Sequence, residues 1–213
     1  TLHTLGNIMV KTERLEEAVK IGQEAQQLSQ KDKDKALEVQ MTLFVVQVYF
    51  AVLNRCVERE GFNRNSREFT DPFTKAEKAA AAALKITEKL DEPPMKANAL
   101  YSMAEVNVMA GKFREAENQA SDAEKLFETS GIKVGEGTCA GLKAQICMYT
   151  GRFQEAINEA EKALEIGNEI GDPMITDQAN KILDRVRGSQ AQPMMMMQQQ
   201  VQQEIVAEPE VSS

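Results

Sequence analysis

Cysteine, histidine and carboxylate side chains are the groups in this sequence whose types could support catalysis or bind a metal. The three cysteines, Cys56, Cys139 and Cys147, and the single histidine, His3, are too few and too scattered for a zinc site or a Cys–His pair. The sequence contains no phosphate-binding glycine loop and no G-x-S-x-G nucleophile motif. Its carboxylates recur as solvated helix faces. We therefore predict no catalytic residue, no metal site, no cofactor and no enzymatic activity.

The cysteines also bear on the compartment. Cys139 and Cys147 lie eight residues apart on one predicted helix, which separates them by about 12 Å, too far for a disulfide. An odd, sparse set of cysteines is typical of a reducing compartment, so we expect an intracellular, and first of all a cytoplasmic, protein. Because residue 1 is Thr, we expect a fragment or a chain that has lost a leader, which keeps plastid, mitochondrion and cilium open.

The charge balance narrows the class of partner. The chain has 213 residues, with 25 Lys and Arg against 33 Asp and Glu, and a formal net charge of −8. An acidic chain is poorly suited to nucleic acid or to an anionic membrane surface, since both attract clustered Lys and Arg. The longest apolar run, Leu43–Leu53, has eleven residues, whereas a bilayer requires about 20. We therefore expect protein partners, no nucleic acid and no membrane insertion. The oligomeric state is not predictable.

A repeat of forty residues organises the second half of the chain. The segment Gly111-Lys-Phe-Arg-Glu-Ala116 returns as Gly151-Arg-Phe-Gln-Glu-Ala156. The same shift aligns further identical pairs: Ala104 with Ala144, Asn118 with Asn158, Ala120 with Ala160, Ala123 with Ala163, and Gly131 with Gly171. Weaker copies begin at Glu13 and Asp71. The first step is then 58 residues, which predicts an insertion at 57–70.

Each repeat is predicted to be two helices joined at a glycine. Gly111 and Gly151 can adopt the left-handed conformation that ends a helix, and Phe113 and Phe153 follow two residues later to pack into the helix pair. The second helix then carries alanines at steps of four and three on one face: Ala116, Ala120 and Ala123, and again Ala156, Ala160 and Ala163. Small residues on this face allow a neighbouring helix to approach closely.

This pattern resembles the tetratricopeptide repeat (TPR) over roughly residues 1–187. The matching positions are a small residue at 104, Gly111, Ala116, small residues at 120 and 123, and Leu2-x-x-Leu5-Gly6. The forty-residue length is similar to that of kinesin-light-chain-like arrays, and one departure is Lys143, which stands where the pattern has Leu. The resemblance implies an all-α fold, a right-handed α-solenoid of antiparallel helix pairs with a disordered or extended C-terminal tail.

The resemblance also implies the organisation of the chain. The repeat units would span 1–33, 34–92 with the insertion, 93–132 and 133–172, followed by a closing helix at 174–187 and a low-complexity tail at 188–213. The first helix of each unit would line a concave groove. The groove residues implied by this register are Asn7, Asn98, Tyr101, Glu105, Met109, Gln145, Met148, Tyr149, Lys181 and Arg185, each of which alternatively packs against the adjacent repeat.

One specialised TPR site is disfavoured. Some TPR modules hold a terminal carboxylate with Lys and Asn side chains on successive first helices. Asn7 matches one of these positions, but His3, Ser102 and Leu142 stand where Lys or Asn would be needed. The resemblance therefore does not imply a receptor for chaperone tails.

Two segments permit two interpretations each. The run Leu43–Leu53 is apolar nearly all round, which favours a central buried helix over an exposed docking face for another subunit. The insertion mixes Arg and Glu, which indicates a solvated loop, and its Phe62 and Phe69 could anchor it to the array or to a partner.

The tail differs in composition from the array. It contains the run Met194, Met195, Met196 and Met197, followed by glutamines and then by Glu204, Glu208 and Glu210. Such a segment cannot build a core and is expected to be disordered alone. We expect either that its methionines bind the groove or another chain, or that it extends with few contacts.

The sequence therefore predicts a non-catalytic interaction protein. The first interpretation is a scaffold or adaptor subunit of a larger intracellular assembly that binds its partner through the groove and the tail. The alternative is a regulatory or sensor module of a longer polypeptide with an effector domain upstream. An enzyme is the least supported class, because the motifs of catalysis are missing.

Overall fold

The computed structural model describes residues 14–31 and 34–189, and this part of the chain forms eight α-helices without strands. The helices are α1 (Leu15–Lys31), α2 (Lys35–Val57), α3 (Arg67–Thr87), α4 (Pro93–Ala110), α5 (Phe113–Thr129), α6 (Lys133–Tyr149), α7 (Phe153–Ile170) and α8 (173–189). From α1 to α7 each helix packs against the next along the chain, and α8 packs against α6 and α7. This arrangement confirms the predicted all-α solenoid. Asn7 and Met194–Met197 lie outside the described residues.

Glycines end the helices in the second half of the array. Gly111 and Gly151 have φ near +75°, which confirms the predicted left-handed helix ends, and Gly131 and Gly171 have the same conformation. After each glycine, the next amide donates to a carbonyl five residues back at 2.9 Å, which is the Schellman motif. The same helix end therefore recurs every twenty residues and reverses the chain within two or three residues.

Alanines set the close packing between the helices. Ala116, Ala120 and Ala123 on α5 are fully buried, as are their three counterparts on α7. Ala120 lies in a cluster with Ala104 of α4 and with Leu142 and Ile146 of α6. A side chain that ends at Cβ lets helices on both sides approach, so the predicted alanine face is the contact face of these helices.

The apolar helix α2 lies between three neighbours. It contacts α1, α3 and α4, and Val46, Val48 and Leu53 are almost completely buried. The helix α2 has 23 residues and contains an 18-residue stretch with a mean hydropathy of 1.7, so it is long and apolar enough to cross a membrane, but half of that stretch is buried inside the array. The prediction that the apolar segment is too short to cross a bilayer is therefore wrong for the whole helix. The burial of its side chains, and not its length, favours a helix of the protein core.

The insertion is shorter than the sequence indicated. The link between α2 and α3 covers 58–66, and α3 begins at Arg67, so Pro72 lies inside the helix. Pro72 has no amide to donate to the carbonyl of Glu68, and the Cys56 thiol donates to that carbonyl instead, with an S–O distance of 3.5 Å. The buried Phe69 side chain holds this extra first turn against the array.

Salt bridges between units repeat with the same period. Lys112 Nζ lies 3.6 Å from Glu77 Oε1. Forty residues later, the guanidinium of Arg152 donates to both carboxylate oxygens of Glu117 at 2.7 and 3.0 Å. In each pair a cation just after the glycine turn binds a carboxylate on the second helix of the preceding unit. These pairs are partly exposed, so they fix the register of the units more than they stabilise the fold.

Ala120→Leu should destabilise the array by about 1–3 kcal/mol, because its extra methylenes enter a fully buried seam between α4, α5 and α6. Urea unfolding followed by circular dichroism measures this change. Ala82→Leu on α3 is the matched control, since Ala82 is exposed. Equal unfolding midpoints for the two variants would contradict the close-packed seam.

Candidate functional site

A groove runs across the first helices of three successive units. Helices α2, α4 and α6 lie side by side, with α4 in contact with both of the others. Two open cavities of about 600 and 440 Å³ lie along this face. Glu105, near the middle of α4, lines both cavities. We refer to the two cavities together as the groove.

The groove walls are mainly apolar, with uncharged polar groups and the two charged residues Arg64 and Glu105 between them. The larger cavity is lined by Phe50, Asn54, Val57, Phe62, Arg64, Phe69, Glu105, Val108, Met109, Phe113, Leu142, Gln145 and Tyr149. The smaller cavity is lined by Gln40, Leu43, Phe44, Gln47, Asn98, Tyr101, Ser102, Glu105, Phe127, Ile132, Val134, Gly135 and Thr138. Apolar pockets with a few polar groups that fix orientation are the usual form of a binding site.

The structure brings six of the predicted groove residues together. They are Asn98, Tyr101, Glu105 and Met109 on α4, and Gln145 and Tyr149 on α6. Their spacing on α4 is three or four residues, so they form one stripe along the helix, about 16 Å long. Their placement fits a ligand-facing surface. A role in binding stays a prediction.

Three other predicted residues lie elsewhere. Met148 packs against the cluster formed by α6, α7 and α8, because it is one helix position away from Tyr149 and thus rotated by about 100° from the groove face. Lys181 and Arg185 are exposed on α8 and line neither cavity. The α6 helix therefore contributes its groove face through Leu142, Gln145 and Tyr149.

Sequence reasoning missed the contribution of α2. Its groove residues fall into two series with a spacing of seven, one polar and one apolar: Gln40, Gln47 and Asn54, and Leu43, Phe50 and Val57. A seven-residue spacing keeps side chains on one helix face. In the sequence, this groove face was indicated by the polar series within an otherwise apolar helix. The core-facing side of α2 is buried, but this one face is open to the groove.

Aromatic rings close one end of the groove. Phe113 and Tyr149 lie with ring centroids 5.9 Å apart, and the Gln145 amide donates to the Tyr149 hydroxyl at 3.1 Å. On the opposite wall the ring of Phe62 meets that of Phe69 edge-on at 5.4 Å. The insertion is therefore anchored to the array through Phe69, while Phe62 remains partly exposed toward the groove.

Glu105 is the acidic group of the groove. Burial against apolar walls raises the pKa of its carboxyl to about 7, and a hydrogen bond from the Tyr101 hydroxyl acts in the opposite direction. Burial and the neighbouring Glu105 in turn raise the pKa of Tyr101 well above its ordinary value. Among the described residues no Lys or Arg forms an ion pair with Glu105.

One cluster outside the groove has the composition of a metal site. Ligand atoms of Glu117, Cys147 and Glu155 lie within 4.8 Å of one another. However, Arg152 donates to both glutamates, at 2.7 and 3.0 Å, and so neutralises the carboxylates that a cation would need. Burial raises the pKa of the Cys147 thiol, which opposes the thiolate form required for binding. The cluster is an ion-pair network between units.

Lys143 has a structural role that explains its departure from the repeat pattern. Its ammonium lies 2.7 Å from Glu124 and 2.9 Å from Glu159, so it joins α6 to α5 and α7. Burial opposes the charged form of Lys143, but hydrogen bonds to the two carboxylates outweigh it and raise the pKa of the amine. Lys162 adds a second cation at 2.9 Å from Glu124. The network crosses the helix seam away from the groove.

Comparisons with known proteins identify the fold. No protein-family model matches the sequence, and no curated protein matches it significantly. A Rap protein complexed with competence and sporulation factor is 15% identical over 87% of this chain and 52% of its own length, with a TM-score of 0.63. A Pyrococcus horikoshii signal transduction ATPase of the STAND class with a TPR sensor is 17% identical over 84% and 25%, with a TM-score of 0.60.

A further similar structure matches over nearly its full length. A kinesin light chain of Podosopora anserina with nearly identical TPR-like repeats is 14% identical over 91% of this chain and 95% of its own, with a TM-score of 0.58. The chain thus spans about half of the Rap protein and a quarter of the STAND protein. At these identities the comparisons establish the fold, a TPR-like array, and confirm the predicted resemblance at that level.

Lys143→Leu, which restores the residue of the repeat pattern, should destabilise the array by about 2–4 kcal/mol, because Glu159 loses its cation in a largely buried position. Thermal unfolding at neutral pH measures the loss. Lys125→Leu on the exposed face of α5 serves as the control. An increase in stability would show that the network is not needed.

Glu105→Gln should stabilise the unliganded protein by about 1–3 kcal/mol at pH 8 and by nothing at pH 4. With a folded pKa of about 7 against 4.5 for the ordinary carboxyl, ionisation costs stability, and the cost grows as pH rises from 4.5 to 7. Unfolding curves across this pH range give the difference. The exposed Glu161→Gln variant should show no such trend, and the same trend in both variants would contradict the assignment to Glu105.

Proposed function

We propose that the protein is a non-catalytic interaction module that binds a segment of a partner protein in the groove between α2, α4 and α6. The observation that carries this proposal is the groove itself, two adjoining cavities with apolar walls and amide or hydroxyl groups between them. Amides of Gln40, Gln47 and Gln145 can pair with the backbone of a bound segment, while Phe50 and Leu142 offer apolar surface.

The TPR-like fold supports this proposal by similarity. One structure with this fold, the Rap protein, is complexed with competence and sporulation factor. We propose by the same reasoning that the partner is a protein segment rather than a small metabolite. The scaffold or adaptor role, as a subunit of a larger intracellular assembly, is part of this proposal. The run Met194–Met197 is proposed as a second contact with the partner.

A second candidate function follows from the share of the neighbours that the chain covers. The STAND protein carries its TPR sensor in a much longer polypeptide, and the Rap protein is about twice as long as the matched region. Under this alternative the array is the sensor part of a longer chain, and binding in the groove regulates an effector domain. Both functions require an accessible groove, so one binding experiment tests their common basis.

Gln47→Arg should reduce the capture of groove-binding peptides by about tenfold or more, because a long cation would fill the smaller cavity beside Glu105. The measurement is selection of peptides from a random twelve-residue display library on the immobilised full chain, followed by affinities of the selected peptides. Gln27→Arg on the exposed face of α1 is the matched control. If both variants retain the selected peptides equally, the groove is not the binding surface.

A further inference from the structure

Glu105 stands at the junction of the two cavities. It lies at the centre of the α4 stripe, four residues after Tyr101 and four before Met109, and its side chain is the element that both cavities share. Any segment long enough to occupy the whole groove must therefore pass over this carboxylate. The group on the bound segment that lies against the Glu105 carboxylate therefore decides which segments can bind.

The elements that face Glu105 do not provide a counterion. The groove face of α2 presents the uncharged Gln40, Gln47 and Asn54, and that of α6 presents Thr138, Leu142 and Gln145. Within the described lining of the two cavities, the only other charged residue is Arg64, from the insertion. No ion pair joins Arg64 to Glu105, and its guanidinium carbon lies 5.9 Å from the ring centroid of Phe69.

This arrangement contrasts with the carboxylates of Glu124 and Glu117 between the helices, which pair with cations. Glu124 is satisfied by Lys143 and Lys162, and Glu117 by Arg152. Among the described residues, Glu105 instead has the Tyr101 hydroxyl as its hydrogen-bond partner, and burial raises the pKa of its carboxyl to about 7. A carboxylate without a cation in an apolar groove is stabilised by a ligand that brings one.

We propose that the groove selects a partner segment in which a Lys or Arg side chain lies between two apolar side chains, with the cation paired to Glu105. The apolar side chains occupy the two cavities on either side, one between Phe50 and Leu142 and the other beside Leu43 and Phe127. This inference rests on the proposed function and specifies the ligand of the same site.

Charge also discriminates between the available occupants. The protein has a net charge of −8, which favours cationic segments over acidic ones at long range. The chain's own C-terminal segment, residues 188–213, contains no Lys or Arg and three Glu. It offers methionines to the cavities but no counterion to Glu105. A basic segment of a partner protein is therefore the occupant that the groove favours over the tail.

The test is the composition of selected peptides. A random twelve-residue library, displayed without fixed charges, is selected in parallel on the full wild-type chain and on Glu105→Gln. Wild-type selection should enrich peptides with Lys or Arg flanked by apolar residues, and the variant should lose that enrichment while still binding apolar peptides. Enriched wild-type peptides without a cation would overturn this inference but not the proposed function, whereas no enrichment on either chain would overturn both.

A second measurement links the cation to this one carboxylate. A selected peptide and its analogue with norleucine in place of the Lys are titrated against wild type, Glu105→Gln and the exposed control Glu161→Gln by fluorescence anisotropy. Either change alone should weaken binding about tenfold or more, and both together no further. Additive losses, or a full loss in Glu161→Gln, would place the cation elsewhere and overturn the pairing.

The pH profile gives a readout that simple misfolding would not produce. Pairing requires ionised Glu105, so peptide affinity should rise between pH 6 and pH 8 for wild type and stay constant for Glu105→Gln. Tyr101 remains protonated throughout, because burial and Glu105 raise its pKa well above the ordinary value. A synthetic peptide of residues 190–213 is the competitor. If it displaces the selected peptide at equal concentration, the tail is the occupant and the basic-segment inference fails.

Discussion

The distance at which neighbouring helices pack controls the rest of this structure. Alanine faces on α5 and α7 bring the second helices close to the first helices on either side, and glycines on α6 do the same from the opposite direction. At Gly135 an added Cβ would lie only 2.3 Å from the ring of Phe127. The first helices place large side chains on both sides: Val46, Leu53 and Ile146 are buried in the core. Phe50, Tyr101 and Tyr149, on the other side, line the groove.

The sequence was sufficient to predict the elements that obey the repeat. Gly111, Gly151 and the alanines act through backbone conformation and side-chain size, which are local properties that recur with the period. The same reasoning failed where the outcome depends on a neighbour outside the repeat. Whether Met148 faces the groove or the seam depends on the closing helix, and the polar face of α2 depends on which of its neighbours leaves a gap. The forty-residue repeat alone determines neither the direction of Met148 nor the face of α2 that stays open.

Lys143 shows how a departure from the pattern can be structural. The pattern has an apolar residue at this position, and the array instead places a cation that ties three helices together through Glu124 and Glu159. A pattern alone cannot separate such a network from a binding residue, because both appear as an ionisable side chain on an apolar helix. The structure distinguishes the two cases by the ion-pair partners of the side chain. For Lys143 these partners, Glu124 and Glu159, lie within the array.

Glu105 is the opposite case, because no cation among the described residues pairs with it. The Cys139 thiol stays protonated, since burial raises its pKa to about 12. The carboxylates of Glu117 and Glu124 form ion pairs with cations of the array. The groove retains one carboxylate whose charge is not compensated by the described residues. Its surroundings are the Tyr101 hydroxyl, amides and mainly apolar side chains, which can contact a bound segment. In the binding that we propose, the partner supplies the cation that pairs with this carboxylate.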